Sequence, residues 1–207
     1  MLLRDKQVDW LEKRIYLPLQ AFQTFVTGAG VSDGDPVNQE ISSFGFVGGQ
    51  VNAAGDAWAH VMMVPYDLDR SRQVRVRVWF TSSSSDDDTP TWLVTYSALA
   101  EGGTLVAPVT ALDTAIAAYA SAITANTVIA TAFGTILRNT IGTTVAFLNW
   151  KVECDAVGGA SANELSFLGL EVRYTPRKMS GQEKNLRAGR RLLTEGPLGV
   201  QLHATQE

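Results

Sequence analysis

The sequence predicts an all-β antiparallel sandwich of about eight strands, with a short N-terminal helix and extended arms at both ends. Three observations predict it. Apolar residues recur at every second position in a series of separate runs. Clusters of Gly, Pro, Asp and Ser divide those runs. Charge is sparse for a chain of 207 residues, with 18% Asp, Glu, Lys and Arg against 45% hydrophobic residues. Soluble domains usually carry roughly 25% charged residues. Low charge with abundant Ala, Val, Thr and Gly suits a β-rich protein whose surface is covered in an assembly.

The N-terminal element is read as a helix over residues 1–18. Val8, Leu11 and Ile15 lie three and four apart among Asp5, Asp9, Glu12, Lys13 and Arg14. Asp5 supplies a cap, and Pro18 ends the element. Its narrow apolar stripe fits docking on a partner as well as packing on its own domain. Residues 27–36 are dense in breakers and read as a loop.

From there the period is two. Strands are expected over 41–51, 57–64, 73–82, 91–99, 127–137, 143–154 and 164–175. In the clearest, Val74, Val76, Val78 and Phe80 share one face, and Arg75, Arg77 and Trp79 the other. Ala146, Leu148, Trp150, Val152 and Cys154 are expected to face the core, with Lys151 and Glu153 outward. Leu168, Leu170, Val172 and Tyr174 are placed inward, opposite Glu171 and Arg173. Outward Arg75 and Arg77 then have Glu153 or Glu171 as cross-strand partners. Residues 81–90, with four serines and three aspartates, have hairpin-loop composition. Residues 111–125 fit a helical stripe (Leu112, Ile116, Tyr119, Ile123) or an irregular crossover with a short strand, and both readings stay open.

The expected organisation is an N-terminal helix and arm over 1–40, a sandwich over 41–176, and a basic C-terminal arm over 177–207. In that last arm Arg177, Lys178, Lys184, Arg187, Arg190 and Arg191 supply six of the 17 basic residues of the chain. An arm without its own core is ordered by a neighbour. Leu11, Ile15, Arg177, Lys178, Arg187, Arg190 and Arg191 are therefore the candidate partner-binding residues.

Function classes narrow by elimination. The formal charge of −4 and a pI of about 5.2 give no global basic footprint for nucleic acid. No run approaches the roughly 18 apolar residues of a membrane span. The polar N-terminus lacks a signal core, which predicts synthesis in a reducing cytoplasm. Cys154 is the one cysteine, so intrachain disulfides and Cys-built zinc sites are excluded. The two histidines, His60 and His203, leave little for His-based catalysis. His60 sits in an apolar strand and reads as a hydrogen-bonded structural residue. Asp33 with Asp35, Asp67 with Asp69, and Asp86–Asp88 lack calcium-loop spacing and read as solvated turns. The segment around Gly28 and Gly30 lacks the strand and lysine of a phosphate loop. No catalytic set, metal site or cofactor is predicted. Trp79 and Trp92 are expected on exposed strand faces, available to a subunit interface or to sugar rings.

Several segments carry a resemblance. They are Trp58-Ala59-His60-Val61-Met62-Met63-Val64-Pro65-Tyr66-Asp67-Leu68-Asp69, Val74–Phe80, Thr91–Tyr96, Ala111–Ala117 and Glu164–Tyr174. Together they resemble the jelly-roll virion structural proteins of tailed bacteriophages, over residues 42–175 and neither arm. The resemblance implies a jelly-roll sandwich and a non-enzymatic structural role as a head decoration or cement subunit. It implies a homo-oligomer, commonly a trimer, made in the host cytoplasm and placed on the capsid surface. The implied partners are the major capsid protein or neighbouring virion subunits, without membrane or nucleic acid. The alternatives are a receptor- or glycan-binding module of a fibre or tail and, third, an enzyme whose site has no familiar motif.

Overall fold

The computed structural model describes residues 12–24, 37–41, 46–85, 89–158 and 164–177. Twelve strands are formed there: β1 (Lys13–Pro18), β2 (Gln23–Thr24), β3 (Val37–Ile41), β4 (Phe46–Gln50), β5 (Ala57–Met63), β6 (Val74–Ser82), β7 (Thr91–Ala100), β8 (Thr110–Ala111), β9 (Ile129–Ala130), β10 (Gly134–Ile136), β11 (Val145–Ala156) and β12 (Leu165–Tyr174). All pairings are antiparallel. One sheet has seven strands, with β6 and β12 at its centre. β1 and β4 lie along the other side of β12, and β9 and β10 along the other side of β6. The second sheet has five, in the order β2-β5-β11-β7-β8. The long strands β4, β5, β6 and β7 alternate between the sheets, as do β11 and β12. This is a jelly-roll-like sandwich, as the alternation of apolar residues predicts.

The core lies between the sheets. From β6 come Val74, Val76, Val78 and Phe80; from β11, Leu148, Trp150, Val152 and Cys154. Trp58 of β5 and Trp92, Val94 and Tyr96 of β7 complete the facing layer. Phe167 of β12 stands at the aromatic centre. Its ring is 5.0 Å from Trp58, 6.0 Å from Trp92 and 5.2 Å from Phe22. Aromatic packing of this kind adds about 0.5–1.5 kcal/mol per pair beyond buried area.

Some expectations need correction. Residues 13–18 are strand β1, not the end of a helix. Ile15 pairs with Val172 and Leu17 with Leu170, so β12 captures a segment whose local pattern also suits a helix. Residues 1–11 lie outside the described residues, Val8 and Leu11 among them. Trp92 is a core residue because it alternates with Val94 and Tyr96. Leu168 is half-buried, and Leu165 and Phe167 take its expected place inward. The register against β6 slips between Phe167 and Gly169, a bulge that changes the phase of β12. The Ser-rich link after β6 is not a hairpin: it carries the chain from one sheet to the other. A hairpin and a crossover have the same composition, and only sheet membership separates them. Ser82 and Thr81, at its start, are buried. The expected strand at 127–137 is two short ones, β9 and β10. Residues 112–125 form no helix; after β8 they run irregularly and bury Leu112, Ile116 and Ile123. Residues 25–36 and 86–88, with their acidic clusters, are outside the described residues.

Gly169 marks the bulge. A Cβ there would lie 2.5 Å from the Leu17 carbonyl oxygen and 2.8 Å from the Tyr16 hydroxyl. Backbone cannot yield as a side chain does. Gly169→Ala is expected to lower unfolding free energy by about 1–3 kcal/mol, read from urea titration. An unchanged midpoint would show that β1 is not held against β12 in this register.

Candidate partner-binding site

The strands of the seven-stranded sheet place charged and aromatic side chains on its outer face. Three strands in register define the rows. Arg14 of β1 and Arg75 of β6 flank Arg173 of β12. One row on, Tyr16 and Arg77 flank Glu171; in the third, Pro18 and Trp79 flank Gly169. Alternation along β6 and β12 puts these residues opposite the core positions.

Glu171 is the hub. It is buried although it points away from the core. Arg77 Nε donates to one of its oxygens at 2.7 Å and Trp79 Nε1 to the same oxygen at 3.0 Å. Arg173 Nε donates to the other oxygen at 2.5 Å, and Arg14 Nε lies 3.9 Å from it. Burial raises the Glu171 pKa, but the bonds from Arg173, Arg77 and Trp79 outweigh it and hold the carboxyl below its ordinary range. Arg75 pairs with Glu12. The ring of Phe133, between β9 and β10, sits against three guanidiniums: Arg173 at 4.5 Å, Arg77 at 4.7 Å and Arg75 at 5.0 Å. Arg77 also stacks on Trp79 at 4.5 Å.

Four arginines therefore meet two carboxylates, Glu12 and Glu171, a local excess of two positive charges on a chain of formal charge −4. An open cleft of about 350 Å³ adjoins this face through Glu12 and carries Arg72 and Arg138 on its wall. Arginine stays protonated and presents a planar fork of donors. Glu171, ionised and held by three close donors, is a poor proton carrier. The arrangement suits the holding of anionic groups rather than acid–base chemistry.

Beside it, Asp67 accepts bonds from Lys13 and from the Tyr174 hydroxyl, the latter at 3.1 Å. Burial raises the Asp67 pKa, and the Lys13 and Tyr174 bonds bring it below its usual value. Burial, with Asp67 alongside, pushes the Tyr174 phenol up to about 12.

The sequence singled out Arg75, Arg77 and Trp79 as sharing a face, and the Arg77–Glu171 pair forms across strands as expected. Arg75 instead finds Glu12, and Glu153 finds Lys151 on its own strand. Phe133, Arg14 and Tyr16 were not singled out: Phe133 comes from an irregular segment, and the other two need the β1 register. Of the expected partner-binding residues, Ile15 and Arg177 are among the described ones. Ile15 is half-buried and packs against the core. Arg177 is exposed. Leu11, Lys178, Arg187, Arg190 and Arg191 lie outside the described residues. His60 is structural as expected: its Nδ1 donates to the Ala21 carbonyl at 2.7 Å, and its ring lies 5.3 Å from Phe22. Cys154 is buried; desolvation, with Asp56, Asp155 and Glu153 nearby, pushes its thiol up to about 12.

No protein-family model matches the chain, and no curated protein matches it. Among solved structures it is similar to a family 35 carbohydrate binding module from Clostridium thermocellum, at 9% identity and a TM-score of 0.43, covering 77% of this chain and 97% of that one. It is similar to the xylan-binding module CBM15 at 13% identity and a TM-score of 0.44, covering 81% and 99%. A third similarity is to the structure of infectious bursal disease virus Gx strain, at 15% identity and a TM-score of 0.29, covering 72% of this chain and 42% of that one. The sandwich itself is defined by its own strand order and register.

The lowered Glu171 pKa has a definite sign. The stabilisation it brings is complete above the unfolded value, near 4.5, and is lost as pH falls through the lower folded value. Glu171→Gln is expected to remove that part of the acid destabilisation while lowering stability at pH 7. Chemical unfolding between pH 2 and 7 checks it. A variant whose pH dependence matches the parent would show that Glu171 is not the hub.

Proposed function

We propose that the chain is a non-enzymatic virion structural protein, a capsid decoration or cement subunit that self-associates through the outer face of its five-stranded sheet. The observation that supports this is an apolar row on that face. Register places Met63 of β5, Phe147 of β11 and Leu99 of β7 side by side across three strands, with Met63 exposed, Phe147 half-buried and Leu99 buried. Val61, two residues before Met63, is 53% exposed, and Met63 is 69% exposed. The chain leaving β7 then presents Leu105 and Val109 at 84% and 77% exposure. Ser97 holds this return segment to β7 by donating to the Val106 carbonyl at 3.0 Å, and Thr95 by donating to that of Pro108 at 2.6 Å. Single exposed hydrophobics are ordinary, but a contiguous set in the middle of a sheet fits a surface that a neighbour covers.

In this reading the occupant is a second copy of the same chain, in a trimer or another closed ring. Residues 177–207, with their basic run, hold the ring to the capsid. The glycan-binding alternative needs aromatic rings free at one end of the sandwich. Trp58, Trp92 and Trp150 are instead core residues, and Trp79 is engaged by Arg77 and Glu171.

Mass measurement of the purified chain tests the self-association. An oligomer that becomes monomeric in the Val61→Lys/Met63→Lys double variant is the expected result. A monomer at all concentrations would end this reading. Deleting residues 177–207 is expected to leave the sandwich folded and abolish co-sedimentation with the particle; full occupancy by the truncated chain would refute the role given to the arm.

A further inference from the structure

From the arginine face of the seven-stranded sheet we infer a second interaction surface, one that takes an acidic protein segment. Arg77 and Arg173 are each anchored to Glu171 through Nε, the inner edge of the guanidinium. Their planes are further fixed by Phe133, and that of Arg77 by Trp79. Anchoring at Nε turns the two terminal nitrogens of each group away from Glu171, and the side chains keep 20% and 13% of their surface exposed, enough for an acceptor to reach them from outside. Such a pre-oriented fork matches a carboxylate in two-point geometry, with little rotamer freedom left to lose.

Charge balance points the same way. Packing three guanidiniums around one ring concentrates like charge, and Glu171 and Glu12 offset only part of it. The remaining excess makes the face attractive to anions on a chain that is acidic as a whole. The cleft beside it runs from Glu12 to Arg72, which pairs with Asp69 at 4.0 Å, and to exposed Arg138, so Arg138 adds a further cation along a line that suits an extended segment rather than one small ion. A protein segment is favoured over nucleic acid: Trp79 and Phe133 are covered by arginine, and Tyr16, 51% exposed, is tied down by donating its hydroxyl to the Leu168 carbonyl, so the face offers no series of free rings for base stacking. This surface is on the opposite sheet from the apolar row and does not depend on self-association there.

The test uses the full chain and a hexaglutamate peptide, followed by amide chemical shifts and calorimetry at low salt. Binding is expected to move the amides of Arg77, Phe133 and Arg173, and to weaken roughly tenfold or more between 50 and 200 mM salt. Arg14→Gln/Arg138→Gln removes two exposed charges and spares the close bonds to Glu171. It is expected to weaken peptide binding at least fivefold without moving the thermal midpoint. Shift changes confined to other regions, or equal affinity in the variant, would overturn the inference. So would saturation by sulfate with the same shifts at matched ionic strength, which would mark a small-anion pocket. Tighter binding of a hexathymidylate strand than of the peptide would assign the face to nucleic acid and overturn it too. A monomeric protein that still binds the peptide would retain this inference while ending the self-association reading.

Discussion

The structure turns on a change of phase in one strand. β12 is central in its sheet and must serve two surfaces at once. Before Leu168 it points Leu165 and Phe167 into the sandwich; after the bulge it points Leu170, Val172 and Tyr174 there. Unbroken alternation from Phe167 would drive Glu171 and Arg173 into the core. Burying that carboxylate between apolar sheets would cost several kcal/mol without partners to offset it. The bulge lets one strand carry the aromatic centre of the core at one end and an ionic hub on the outer surface at the other. Gly169 makes room for it, since β1 pairs alongside β12 at this point and its Leu17 carbonyl and Tyr16 hydroxyl take the space of a side chain.

The two outer faces that result differ in chemistry. On the seven-stranded sheet, guanidiniums are stacked on rings and tethered to Glu171, so charge is concentrated and held rigid. On the five-stranded sheet, the Met63–Phe147–Leu99 row is apolar, and Met63, with Val61 beside it, is open to water while Leu99 is buried. Apolar rows favour extensive, non-directional contact; fixed guanidiniums favour directional contact with anions and respond to salt. A sandwich with both can meet two different neighbours without competition between them. That is the physical basis for reading it as a component of an assembly.

Much of this was legible in the residues. The alternation in Val74–Phe80 and in Leu148–Cys154 needs no tertiary information, because a strand half-buried against a core displays its period directly. The outward placement of Arg77 and Glu171 was legible for the same reason, while their pairing was one of several open between Arg75 or Arg77 and Glu153 or Glu171. Three features were not. The helix-like spacing of Val8, Leu11 and Ile15 competes with a strand reading of Lys13–Pro18, and only the edge of β12 decides it. The irregular path of residues 112–125 has no period to read, although the burial of Leu112, Ile116 and Ile123 was legible from their apolar character. Trp92 was placed outside because its strand was read without knowing which face the opposite sheet would cover.

By itself, then, the sequence determined an antiparallel sandwich, the positions of its long strands and most of its core faces, since alternation and turn chemistry are local properties carried by each segment. The tertiary structure alone decided the capture of β1 by β12, the bulge at Leu168, the exchange of sheets after β6 and the gathering of Arg14, Arg75, Arg77, Arg173 and Phe133 around Glu171. These depend on which segments meet across long stretches of chain. Residue spacing within a single strand has no record of that.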